Sequence, residues 1–432
     1  MSLNKLLRRQ DIYLRPNPAR VVVRQFKPAI EPRDLNPTDK SRANHIVERV
    51  LGLDLATATA QLDEVLANFQ GRHRNLLDLF DARADEMEQA IAAHVRFTPQ
   101  QRRLIGAYFL HEYSFEAAAL FNPSIVAHFD QAGAPEQGQR FILSVRAVGE
   151  GHISSLTFRT GSLAADGGVT LDPTASLASI PRVTRRIPGP AGDEIELTFG
   201  PDEDMSERVI FPVTEAQSNG IEDARFVTFD TGTDKVFYAT YTAYNGRAIR
   251  SELLETRDFT SFRMSPLQGA AARNKGMALF PRRIDGRYAM IARHDNENLY
   301  LIYSDDLYTW DGGTVALTPK FPWEFVQIGT CGAPIELDEG WLLLTHGVGP
   351  VRKYCIGAVL LDKTDPSRVL GRMREPLVRP ETRERGGYVP NVVYTCGAMR
   401  QGNQLILPYA ISDTFCNFAS VEIPALLAAL EG

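Results

Sequence analysis

From residue 41 to about 120 the apolar residues recur at helical spacing. Ile46, Val50 and Leu53 are followed by Leu62, Val65, Leu66 and Phe69, then by Leu76, Leu77, Leu79 and Phe80, each set marking one face of a helix. Thr98-Pro99-Gln100-Gln101 reads as an N-cap with proline in the first turn, opening a helix through Leu104, Tyr108 and Phe115 towards Leu120. Two or three amphipathic helices are expected here, serving as a cap, as plain packing or as an oligomer contact. Residues 1–40 are rich in Arg and Pro and read as an extended arm, with Val21-Val22-Val23 as one edge strand.

After Asn122-Pro123-Ser124 the helical period vanishes, and short apolar, β-branched runs with turn signals continue to about residue 420. Thr256-Arg257-Asp258-Phe259-Thr260-Ser261-Phe262 repeats as Ser304-Asp305-Asp306-Leu307-Tyr308-Thr309-Trp310, with hydroxyl, Asp, apolar and aromatic positions matched. The same strand-turn-strand order recurs around Phe141–Val145, Trp341–Leu344 and Gln404–Leu407. Five copies about 50 residues apart predict an all-β, five-bladed β-propeller over 121–432, with 41–120 as a helical extension. A β-sandwich is the alternative. In a propeller each blade offers residues to one axial pocket.

Composition narrows the chemistry. The 432 residues are 44% apolar and 23% charged, with a net charge of -6, which is ordinary globular composition. Interspersed charges argue against nucleic acid or an anionic membrane as partner. Cys331, Cys355, Cys396 and Cys416 stand apart with no paired spacing, so reduced thiols and a cytoplasmic setting are expected. No apolar run is long enough to span a bilayer. His111-Glu112-Tyr113-Ser114-Phe115 begins like a zinc-protease helix, but Phe115 occupies the second histidine position. Gly149-Glu150-Gly151 begins like a dinucleotide turn, but Ser154 replaces the third glycine. No organic cofactor or catalytic metal is expected.

What remains is polar residues at matching places in successive repeats. The densest stretch is Gly220-Ile221-Glu222-Asp223-Ala224-Arg225, two carboxylates and a guanidinium running into the strand-like Phe226-Val227-Thr228-Phe229. Around it stand Asn122, Ser124 and Arg146; Arg273-Asn274-Lys275; Arg293-His294-Asp295; Gln327, His346 and Arg352-Lys353-Tyr354; and Asn391 and Asp413. Few acids among many cations suit a polyhydroxylated substrate together with an anion, since arginine forks pair with phosphate oxygens.

These residues carry a resemblance. Gly220–Arg225, Tyr241-Thr242-Ala243-Tyr244, Arg273–Pro281, Gly332-Ala333-Pro334, Gly340–Leu343, His346-Gly347-Val348 and Pro390-Asn391-Val392-Val393 are similar to glycoside hydrolase family 130 over roughly residues 120–425. That family consists of five-bladed propellers, mostly inverting β-mannoside phosphorylases with some β-mannosidases. Thr345–Pro350 and the helical extension look most like the subgroup acting on β-1,2-linked mannosides. The resemblance implies Asp223 as general acid, acting through the 3-hydroxyl of the mannosyl unit. It implies Arg273, Asn274 and Arg293 as phosphate ligands, with Lys275, His294 and His346 beside them. Asn122, Ser124, Arg146 and Asp413 would hold the sugar, with Glu222, Arg225 and Tyr354 nearby. The product would be α-mannose 1-phosphate, with inorganic phosphate as co-substrate.

Phosphate arrives anionic, so one carboxylic acid suffices. A hydrolase needs a second carboxylate roughly 6.5–9.5 Å away to activate water, and Glu150, Asp295 and Asp413 are its candidates. Glu222 is expected on the opposite strand face from Asp223. Where many family members carry a phosphate-binding lysine, this chain has the neutral Gln327; His346, Arg352 or Lys353 would supply the charge. An inverting β-mannosidase and a non-catalytic carbohydrate-binding propeller are the alternatives to the phosphorylase.

Overall fold

The computed structural model describes residues 6–29, 41–91 and 97–431, which divide into two compact units. The smaller comprises residues 19–114 with 176–179. Its helices are Arg42–Leu51, Leu55–Phe69, Leu76–Ile91 and Pro99–Tyr108. Ser41, Asp54 and Thr98 cap three of them by accepting from backbone N–H groups, and Gln101 completes a capping box with Thr98. Val50, Leu62, Leu76, Phe80 and Leu104 join the core, as the spacing predicts, and Val47 is buried in it while Ile46 is only partly so. The last helix does not reach Leu120. It ends at Tyr108, and Leu110–Tyr113 pairs antiparallel with Val22–Gln25, because the backbone groups of the valine-rich edge strand need a ladder partner. The predicted arm is therefore split. Val22–Gln25 belongs to this unit, Arg8–Arg9 belongs to the other, and 30–40 lies outside the described residues.

The regular structure of the larger unit is mostly strand, and five antiparallel runs of four strands each make up most of it; Glu194–Thr198 and Arg182–Ile187 extend the second run beyond its fourth strand. The first is Ala119–Ala127, Gln139–Val148, Ser154–Leu163 and Val169–Leu171. The second is Gly220–Asp230, Lys235–Tyr244, Ile249–Thr256 and Ser261–Pro266. The third is Ala278–Leu279, Tyr288–Ala292, Leu299–Ser304 and Thr314–Leu317. The fourth is Gln327–Thr330, Trp341–Gly349, Lys353–Leu361 and Val369–Arg372. The fifth is Val393–Tyr394, Gln404–Ile411, Phe415–Glu422 and, from the other end of the chain, Arg8–Arg9. A single parallel pairing, Gly220 with Ser154, joins the first two runs into one sheet.

The repeat seen in the sequence is one turn used twice, between the third and fourth strands of its run. Thr256 Oγ1 accepts from Phe259 N, and Asp258 Oδ1 accepts from Thr260 N and Ser261 N. Ser304 Oγ accepts from Asp306 N, and Asp306 Oδ1 from Tyr308 N. Phe259 and Trp310 are buried beneath the two turns.

Strands apolar at nearly every position bury both faces, unlike those of a sandwich with one solvated side. Trp341 and Leu343 join a cluster with Leu299 and Leu301 of the third run, while Leu342 and Leu344 join one with Leu405 and Leu407 of the fifth. Phe158 packs with Phe226 and Phe237, and Tyr238 with Met290 and Ile302. Phe141 and Leu143 of the first run pack with Ile406 and Phe418 of the fifth. Each run thus packs on the next, and the last on the first.

Candidate active site

Antiparallel pairing brings the start of each first strand, the end of each second strand and the turn after it to one end of a run. Many of the polar residues singled out in the sequence sit there. A cavity of about 210 Å³ is lined by Asn122, Arg146, Glu222, Asp223, Lys275, Arg293, Gln327, His346, Arg352, Tyr354, Val392, Tyr394 and Asp413. Another cavity, of about 260 Å³ in the helical unit, is mostly apolar and lacks this convergence of charge.

Asn122 and Asp223 occupy matching β-bulges. Phe121 pairs with Arg146 and Ser124 with Ser144; likewise Glu222 pairs with Thr242 and Arg225 with Thr240, so two residues, Asn122-Pro123 or Asp223-Ala224, stand against one in each case. Pro123 lacks a ladder N–H, which accounts for the first break. Asn122 and Asp223 take left-handed φ of 50° and 53°, which Asn and Asp tolerate better than most residues. The bulges turn both side chains into the cavity, where Asn122 Nδ2 donates to Asp223 Oδ1 at 2.6 Å. Asn122 Oδ1 is buried without a partner.

The second bulge also overturns the expected separation of Glu222 from Asp223. Strand alternation fails there, and both carboxylates face Arg146. Its Nη2 donates to Glu222 Oε1 at 2.7 Å and its Nη1 to Asp223 Oδ1 at 3.3 Å, while Nε donates to Ser154 Oγ at 2.9 Å. Lys275 Nζ lies 3.8 Å from Glu222 Oε2. Arg225 stands behind the cavity wall, donating to the Asp223 carbonyl at 3.0 Å and to the Tyr394 hydroxyl at 2.8 Å.

The carboxylates are tuned apart. Burial pushes Asp223 up, but Arg146, Arg225 and Lys275 outweigh it and hold the carboxyl at about 2. Burial and the charge of Asp223 push Asp413 up to about 6, against Arg146 and Arg352. Asp413 is at a hairpin tip with φ 48°. Burial, then the charges of Arg293 and Arg225, drive His346 well below its ordinary value, so its ring is neutral at pH 7. Burial keeps the Tyr394 hydroxyl protonated.

Arg293 is 7% exposed, and its Nε and Nη1 have no hydrogen-bond partner. Burial is the main influence lowering its pKa, and Arg225 adds to it. Four lining cations, Arg146, Lys275, Arg293 and Arg352, face three carboxylates, Glu222, Asp223 and Asp413. Such a site accommodates an anion beside hydroxyl groups.

Several predicted residues fall elsewhere. Arg273 is exposed and does not line the cavity. Asn274 donates to Asn296 Oδ1 at 2.7 Å, and its carbonyl accepts from Ser251 Oγ. His294 packs on the Tyr300 ring at 3.8 Å, outside the lining set. Ser124 Oγ accepts from Phe226 N at 3.0 Å, tying the first two runs together. Among the candidate bases, Asp295 organises its own loop by accepting from Glu297 N, Asn298 N and the Tyr300 hydroxyl, and Glu150 is exposed; Asp413 lines the cavity. Lys353 lies off the cavity, and the carbonyl of Asn391 accepts from Tyr354 N. Sequence reasoning missed Tyr394. Its signal was Pro390-Asn391-Val392-Val393, which leads into Tyr394 on the first strand of the fifth run.

The glycoside hydrolase 130 family model, described as beta-1,4-mannooligosaccharide phosphorylase, matches residues 202–431. A 1,2-beta-oligomannan phosphorylase of Thermoanaerobacter sp. (strain X514) is 33% identical over 224 residues, 51% of this chain and 74% of the relative. A beta-1,2-mannobiose phosphorylase of Listeria innocua is 32% identical over 232 residues, 51% of this chain and 63% of the relative. The solved structure of a Listeria innocua beta-1,2-mannobiose phosphorylase with beta-1,2-mannobiose superposes with a TM-score of 0.50 at 20% identity, covering 72% of this chain and 92% of that one; at that identity the likeness concerns the fold. The chain belongs to glycoside hydrolase family 130.

Proposed function

We propose that the protein is a phosphorylase of β-1,2-linked mannosides, transferring a mannosyl unit to inorganic phosphate with inversion to give α-mannose 1-phosphate. The observation that carries this reading is Arg293, a buried guanidinium with two unpartnered nitrogens beside a neutral His346. A buried cation without a counter-ion is costly, and an anionic co-substrate removes that cost. Lys275, Arg352 and the Gln327 amide complete the anion's surroundings. The relatives' names supply the sugar and the linkage. The cyclic packing of the five runs supports a five-bladed propeller with this cavity at its axis.

In this reading Asp223 delivers the proton to the glycosidic oxygen through a sugar hydroxyl. The charges of Arg146, Arg225 and Lys275 keep Asp223 ionised. A bound phosphate offsets the charges of Lys275 and Arg293, and the sugar displaces water, so Asp223 takes up its proton in the ternary complex. Asn122 Oδ1 then accepts from a mannosyl hydroxyl, and Asp413 accepts from one when ionised or donates to one when protonated. The phosphate oxygen attacks the anomeric carbon as the C–O bond to the leaving sugar breaks, and no carboxylate base is required.

A second reading, an inverting β-mannosidase, is favoured by one observation: Asp413 supplies a second carboxyl in the same cavity as Asp223. Incubation with β-1,2-mannobiose, with and without inorganic phosphate, decides between them. Mannose 1-phosphate formed only with phosphate is the expected outcome. Free mannose released at an equal rate without phosphate overturns it.

A further inference from the structure

The turn Gly349-Pro350-Val351-Arg352 carries a strain that its counterpart avoids. In the first run, Gly149 leads into Gly151 and His152 at φ 65° and 60°; in the fourth, Gly349 leads into Val351 and Arg352 at φ 55° and 52°. The two turns join the same pair of strands in their runs. The first places glycine at the third position, where left-handed backbone costs nothing. The second places a β-branched side chain there. Among the described residues Val351 is the one β-branched residue with left-handed φ, and it is 88% exposed. Such a side chain returns nothing to the isolated fold, and retained strain of this kind concentrates where a ligand is held.

The neighbouring strand repeats the theme. Gln327 pairs with Val348, and Val326 N donates to the Val348 carbonyl at 3.0 Å, so Phe325 and Val326 run alongside Gly349 and Pro350. Phe325 is 62% and Val326 61% exposed. Each apolar group directly precedes a cavity-lining residue, Val326 before Gln327 and Val351 before Arg352. Exposed apolar side chains next in the chain to lining residues of a polar cavity suit the rim of a ligand groove.

We infer that Phe325, Val326 and Val351 form an apolar platform on the cavity rim for the sugar rings of a longer oligomannoside, those beyond the two flanking the scissile bond. The C–H face of a pyranose is apolar, and an aromatic ring or a branched aliphatic group packs on it while the hydroxyls stay in water. A strained valine keeps its side chain turned outward to meet such a face. The platform makes the protein prefer chains over the disaccharide. This inference rests on the mannoside reading of the same site.

The test compares Phe325→Ala and Val351→Gly with the wild type on β-1,2-mannobiose and β-1,2-mannotetraose, both with phosphate. The ratio of kcat/KM for the tetrasaccharide to that for the disaccharide is expected to fall about fivefold in each variant, mainly through KM. Val351→Gly removes the strain as well, so it folds at least as well as the wild type and keeps the test open if Phe325→Ala misfolds. An unchanged ratio in both overturns the inference. So does a change of solution mass in Phe325→Ala with the ratio unchanged, which would assign the patch to a second copy of the chain. If the wild type turns over no mannoside with phosphate, the phosphorylase reading fails separately. Calorimetric binding of mannotetraose then reads the platform: weakened binding in the variants supports it, and equal binding or none in the wild type overturns it.

Discussion

Glu222 and Asp223, adjacent in sequence, share one guanidinium: Arg146 reaches Glu222 at 2.7 Å and Asp223 at 3.3 Å. On a regular strand they would face opposite sides. The bulge between Glu222 and Arg225 is what lets two consecutive carboxylates address one cavity. The same bulge one run earlier presents Asn122, so the acid arrives with a neutral donor already 2.6 Å away. Positioning here comes from backbone irregularity, not from loop length.

Asp223→Asn preserves the shape of the site and the left-handed backbone while removing the acid. A lost general acid lowers kcat by about 10²-fold or more. Steady-state kinetics with saturating phosphate checks this, and a loss below tenfold would take Asp223 out of the proton transfer.

Arg293→Gln removes the unpartnered cation. Losing a charge-assisted hydrogen bond of about 1.5–3 kcal/mol raises the KM for phosphate roughly 10- to 100-fold. The mannoside KM should move far less. The reverse pattern would place Arg293 on the sugar.

Asp413 gives a pH signature. Its carboxyl titrates near 6 when folded, against 3.8 ordinarily. The folded state therefore holds a proton that the unfolded state has lost, and stability falls as pH rises from about 4 to about 6. Asp413→Asn abolishes that loss, so its thermal midpoint should exceed the wild type's at pH 7.5 and match it near pH 4. Equal midpoints at both pH values would show that the carboxyl is not tuned by burial and Asp223.

Tyr394→Phe takes away the hydroxyl that accepts from Arg225 Nη2 at 2.8 Å. A buried guanidinium left with one partner fewer costs about 1–3 kcal/mol. A lower thermal midpoint is expected, with a kcat loss smaller than that of Asp223→Asn. No thermal shift would mean that Arg225 finds another partner.

Much of this was legible in the residues. The helical spacing from Ile46 to Leu104 marks the core of the smaller unit, and Thr98-Pro99 marks where its last helix begins. Alternating burial of Trp341-Leu342-Leu343-Leu344 against two neighbours is already implied by an apolar run bounded by turns. The helix end at Tyr108 was not legible, because Leu110–Tyr113 becomes a strand only when Val22–Gln25 is beside it.

Residue identity alone fixes what the site can draw on: carboxylates at Glu222, Asp223 and Asp413, cations at Arg146, Lys275 and Arg293, and a repeat that returns such residues to equivalent places. Side-chain chemistry and periodicity are local properties, so one chain suffices to read them. Membership of the cavity follows from the fold. It left Arg273, Asn274 and His294 outside the cavity, made Ser124 a tie between strands, and brought in Tyr394. It also set the protonation of Asp223 and Asp413, near 2 and near 6, through charges far apart in the sequence. Bulges, burial and long-range charge depend on which strands meet, and residue spacing carries no record of that meeting.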